Sequence, residues 1–154
     1  MKRHLTLLLT ICIALLANAQ STELYFSSFP CVSPDGQTLV FTFDGDLWKV
    51  PVQGGTALRL TAMQGEETRA KFSPDGKWIA FTGSQNGNQD VYIIPATGGE
   101  IKQLTFHEAY DHVDNWSWDS QTIFFTSSRY SRFSGYKVSV NGGTPVRLFD
   151  HYFH

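Results

Sequence analysis

Polar and apolar residues change places along this chain at a spacing no helix would give. In the stretch from 69 to 105, short apolar or β-branched runs are separated by turn residues. Arg69–Ser73, Lys77–Thr82, Asp90–Pro95 and Glu100–Thr105 read as four strands, with SPDG, GSQNGN and ATGG between them. Aromatic and β-branched residues crowd these runs, and no 3.6-residue periodicity follows residue 20. Trp78-Ile79-Ala80-Phe81 is apolar on both faces, so this strand must be covered on both sides.

The same pattern occurs three times. Gly54-Gly55, Gly98-Gly99 and Gly142-Gly143 are spaced by 44 residues, as are Leu60, Leu104 and Leu148, and Trp48, Tyr92 and Tyr136. SPDG stands at 33 and 73, and a degraded copy, Ser117-Trp118-Asp119-Ser120, at 117. The first interval is four residues shorter because the loop before Asp46 is tight. Four strands per unit and a period of 40 to 45 residues predict an all-β chain of β-propeller blades. The units fall at about 30–61, 69–105 and 113–149 within a region spanning 20–149, with 150–154 starting a next blade or a connection. Three blades are too few to close a ring, which takes about 4 to 8. The expectation is therefore an incomplete ring and an N-terminal segment of a longer protein.

Each turn has a local reason. In SPDG the Ser bonds locally, Pro presets φ, and Gly sits where a side chain is least welcome. Ser120 replaces that Gly in the third copy, and a left-handed conformation there costs about 1 kcal/mol. The Gly-Gly pairs fit hairpins that need positive φ. No helix follows them, which removes the phosphate-binding alternative.

The N-terminus changes the picture of where the chain works. Lys2 and Arg3 precede an uncharged apolar run, Leu5–Leu16, and then Ala17-Asn18-Ala19 before Gln20. This is the pattern of a signal peptide covering 1–19, which predicts an exported, periplasmic or secreted bacterial protein with no membrane attachment after cleavage. Cleavage leaves one of the two cysteines, Cys31, so no internal disulfide can form. It also leaves 10 Lys and Arg against 14 Asp and Glu, a balance that argues against a nucleic-acid partner.

Candidate chemistry is sparse. The sequence holds no G-x-S-x-G, H-E-x-x-H or Walker loop. His107-Glu108-Ala109-Tyr110-Asp111-His112-Val113-Asp114 could offer metal ligands, but a solvated connection between blades explains it without fixed ligand spacing. His151 and His154 carry no motif. Asp44-Gly45-Asp46 fits a hairpin turn better than a calcium loop, whose later ligands are missing. Asn115-Trp116-Ser117 matches a glycosylation sequon, but falls where an inner strand belongs. No catalytic residue, metal site or cofactor is expected. Arg129, Tyr130, Arg132 and Phe133, in the long loop of the third copy, are the candidates for contact with a peptide or protein partner.

The blade pattern F-S-P-D-G-K-x-I-A-F, D-V-Y, G-G, L-T resembles the TolB-type, WD-like propeller repeat. Phe43-Asp44-Gly45-Asp46-Leu47-Trp48-Lys49-Val50-Pro51, followed by Gly54-Gly55 and Leu60-Thr61, resembles the first blade of tricorn-type serine peptidases. Leu104-Thr105-Phe106-His107 and Ser127-Ser128-Arg129 add to that likeness. The resemblance implies a hydrolase parent in which propellers guide or filter peptides and downstream domains of the same polypeptide hold the catalytic groups. It carries no catalytic residue onto this chain. The same repeat occurs in TolB-like partner-binding propellers and in propellers of prolyl-oligopeptidase-like hydrolases, which stay open as alternatives.

Overall fold

The computed structural model describes residues 27–130 and 133–149. The expected signal peptide, 1–19, and the expected next element, 150–154, lie outside the described residues. Twelve strands form three antiparallel four-stranded sheets, and no helix occurs among the described residues.

The first sheet holds β1 (Ser28–Val32), β2 (Thr38–Phe43), β3 (Asp46–Pro51) and β4 (Leu58–Arg59). The second holds β5 (Glu67–Phe72), β6 (Trp78–Gly83), β7 (Asp90–Pro95) and β8 (Lys102–Gln103), and the third β9 (Asp111–Trp116), β10 (Thr122–Ser127), β11 (Ser134–Ser139) and β12 (Val146–Arg147). Strand order follows chain order in every sheet. The three sheets do not close on one another. Turns from the first to the second strand and from the third to the fourth share one end of each sheet, the turn face. The remaining loops share the other end, the loop face.

The repeat is exact in register. Phe41 pairs with Trp48, Phe81 with Tyr92 and Phe125 with Tyr136, so the three third-strand aromatics are equivalent. The middle sheet is covered on both faces, as its two-sided apolar strand requires. Ile79, Phe81, Tyr92 and Ile94 pack with Val40 and Leu47 of the first sheet. Ala80, Val91, Ile93 and Leu104 pack with Val113, Trp116, Ile123, Phe125, Tyr136 and Val138 of the third. Each large apolar side chain so buried contributes about 1.5–3 kcal/mol. Trp78 is only partly buried, at the rim of the second cluster.

The turns bear out their local logic and add a residue to it. In each copy the Ser hydroxyl donates to the Asp two positions on, at 33/35, 73/75 and 117/119. That carboxylate accepts the amide of the fourth turn residue beyond the Ser, at Gln37, Lys77 and Gln121. The Asp is thus as much part of the turn as Pro or Gly. Ser120 does adopt positive φ, at 60°. Its hydroxyl accepts the Asp75 amide at 3.1 Å, which ties adjacent turns together.

The fourth strands differ from expectation in length. The expected run Glu100–Thr105 pairs only at Lys102–Gln103. Leu104 turns into the core, and the Thr105 hydroxyl takes the Val91 amide at 2.9 Å. A side chain replaces the ladder at that point.

Candidate functional site

The loop face is built by seams between sheets. At the first seam, Asp46 begins β3 and Glu67 begins β5, and both are buried. The Thr61 hydroxyl accepts the Leu47 amide and donates to Glu67 Oε2, each at 2.8 Å. Asp46 pairs with the half-exposed Arg59. Glu67 Oε1 has no hydrogen-bond partner among the described residues. Burial pushes the Glu67 carboxyl up to about 7; the Thr61 bond opposes this and the neighbouring Asp46 charge reinforces it.

The second seam repeats these positions 44 residues on. Asp90 accepts Thr105 Oγ1 at 2.9 Å, Gln103 Nε2 at 3.1 Å and Asn88 Nδ2 at 3.3 Å. Its carboxyl is raised, first by burial and then by the Asp111 charge, against the Thr105 bond. Asp111 is wholly buried and pairs with Arg129. The Arg129 guanidinium also lies 5.6 Å from the Phe125 ring centre and 5.4 Å from that of Tyr136, within cation–π range.

The four loop candidates separate accordingly. Arg129 faces inward, its side chain 13% exposed. Tyr130 and Phe133 face solvent, at 59% and 78% exposure. Arg147 stacks over the Tyr130 ring at 3.9 Å. Arg132 lies outside the described residues. Phe133 lines a groove of about 300 Å³ with Tyr110, His112, Thr126, Ser127 and Ser128. Exposed Tyr110, Tyr130 and Phe133 give the loop face of the third blade an aromatic surface.

The His107–Asp114 segment does not act as a unit. His107 Nδ1 accepts the Ala109 amide at 3.0 Å, and Asp114 accepts the Thr126 hydroxyl at 2.7 Å. Among the described residues no three His, Cys, Asp or Glu side chains gather as a metal site. Nor is the segment uniformly solvated, since Asp111 is sealed by Arg129. His112 is partly buried, and burial, with the Arg69 charge, lowers its pKa. Asp44 and Gly45 form a two-residue hairpin turn with φ of 51° and 82°, whereas Asp46 belongs to the seam.

Sequence reasoning missed Glu67 and Asp111 as seam residues. The signal was present: Glu67/Asp111, Asp46/Asp90 and Thr61/Thr105 are all 44 apart.

Sheet order, repeat register and these seams define the molecule as a run of β-propeller blades. Residues 24–153 match the model of the tricorn protease N-terminal β-propeller domain. The chain belongs to that family. It is 34% identical over 59 residues to tricorn protease homolog 1 of Streptomyces coelicolor, a match covering 38% of this chain and 6% of the relative. TolB from Acinetobacter baumannii superposes with a TM-score of 0.68 at 26% identity, over 79% of this chain and 32% of the other. The tricorn protease structure superposes at 0.61 and 15% identity, over 78% and 14%. The chain thus spans a small part of the length of each.

Proposed function

We propose that this chain is a non-catalytic propeller segment of an exported tricorn-like serine peptidase, and that it guides or filters peptides for catalytic domains elsewhere in the same polypeptide. The family match over residues 24–153 carries this reading. The exposed aromatics Tyr110, Tyr130 and Phe133 on the loop face support it, because aromatic side chains supply contact area at low entropic cost. The serines at the turns support the non-catalytic part. Ser33, Ser73 and Ser117 each donate to a neighbouring aspartate and accept a backbone amide, as capping groups do. Export rests on Leu5–Leu16 and Ala17-Asn18-Ala19.

Two measurements test this. The purified chain, incubated with a mixed peptide library, should retain peptides and cleave none above background. The exported form should begin at Gln20 on N-terminal sequencing. Cleavage abolished by replacing His107 or His112 would overturn the non-catalytic reading. A second reading, a TolB-like module that binds a protein partner, draws on the likeness to TolB. Capture of a folded protein but of no peptide would favour it.

A further inference from the structure

The two seams share one backbone plan on the turn face but not one filling. Thr38 pairs with Pro51 in the first blade, and Trp78 pairs with Pro95 at the same position in the second. The Trp78 indole packs against the core between the second and third sheets. A depression of about 550 Å³ remains beside it, lined by second-blade residues alone. Thr38 leaves its own seam open. A groove of about 480 Å³ there runs between the blades, with Pro34, Val50, Leu58, Phe72 and Ala96 among its apolar walls.

The groove also has a polarity. Asp35 and Asp75 line it. Asp75 has Lys77 at 3.6 Å, and the lining lysine, Lys49, donates to the carbonyls of Ala96 and Thr97 at 3.3 and 3.2 Å. Asp35 forms no ion pair among the described residues; its turn bonds from Ser33 and Gln37 both land on Oδ1. These bonds favour its charged form.

We infer that this groove is a peptide subsite that takes an aromatic side chain lying next to a cationic group. The aromatic ring enters the space that the Trp78 indole fills one blade on, and the cation meets Asp35. The inference rests on the peptide-handling reading and specifies one place where it operates.

The test titrates the full chain with fluorescein-tagged Trp-Lys-Gly-Gly, Trp-Glu-Gly-Gly and Ala-Lys-Gly-Gly, read by anisotropy. Trp-Lys-Gly-Gly should bind roughly tenfold tighter than either other peptide, the size of one charge-assisted hydrogen bond or one buried ring. Thr38→Trp, which copies the second blade, should abolish saturable binding with an unchanged circular dichroism spectrum. Asp35→Asn should narrow the gap between the Lys and Glu peptides. Should Thr38→Trp misfold, Leu58→Lys, which copies Lys102 of the second blade at an exposed site, should weaken Trp-Lys-Gly-Gly by a similar factor. Binding that survives both Thr38→Trp and Leu58→Lys overturns the subsite while leaving peptide handling intact. Retention of no peptide from a mixed library overturns both.

Discussion

Glu67 shows how far one side chain can tie stability to pH. Its carboxyl titrates near 7 in the fold against 4.5 for the free group, so the folded chain holds the proton more tightly. The contribution is complete below about 4.5 and is lost as pH rises to about 7. Asp90, also raised, adds a slope of the same sign. His112, lowered by burial, opposes it, because its contribution is lost as pH falls below its ordinary 6.5. The difference between wild type and Glu67→Gln isolates the single group: urea midpoints of wild type should fall between pH 5 and 7.5 more steeply than those of the variant. Parallel curves would show that Glu67 is ionised throughout. Gly83 is a second case. A methyl group there would sit 3.0 Å from the Tyr92 ring, so Gly83→Ala should cost about 1–3 kcal/mol in denaturant titration. Neither role was evident from residue type. Glu67 falls between the expected units 30–61 and 69–105, outside any expected strand, and Gly83 reads as the first residue of a loop.

Elements explain why the strand pattern was legible and the seams were not. The third strand of the second blade was read to the residue, Asp90–Pro95, because turns with strong local chemistry bound it and aromatics mark its faces. Inner strands begin earlier than their apolar residues suggest, at Glu67 and Asp111, because carboxylates at sheet ends are satisfied by groups from other strands. Pattern within one strand cannot report that. The inner strands also carry register shifts, with Phe29 and Arg69 at positive φ, where alternation alone expects regular pairing. At this scale Arg129 matters most. Arg129→Ala leaves Asp111 buried without its cation and should destabilise the chain by about 3–5 kcal/mol. Arg129→Met with Asp111→Leu should recover most of that loss, since removing both charges removes the desolvation cost. A double variant no more stable than the single would show that the pair holds the loop by geometry rather than by charge.

The whole molecule was legible in its repeat, because stacked blades impose the same spacing on unrelated features. The site was less legible, because it arises where copies differ: Thr38 against Trp78, and Arg129 where the second blade has Gln85. Packing between copies can be tested directly. Phe81 is fully buried and stacked on Tyr92, so Phe81→Ala should cost about 3–5 kcal/mol; a loss under about 1 kcal/mol would contradict its place in the core. The middle sheet has a further consequence. Its strands β6 and β7, covered on both faces, are insulated from solvent in a way the two-residue strands β4, β8 and β12 are not. Local opening follows such differences. In deuterated buffer the amides of β6 and β7 should therefore keep their protons longest, and those at the outer rim should lose them first. A ligand held between the first two blades would slow exchange at Thr38 and Ala96 without touching that slow centre, so that occupancy and unfolding would leave separate marks on one time course.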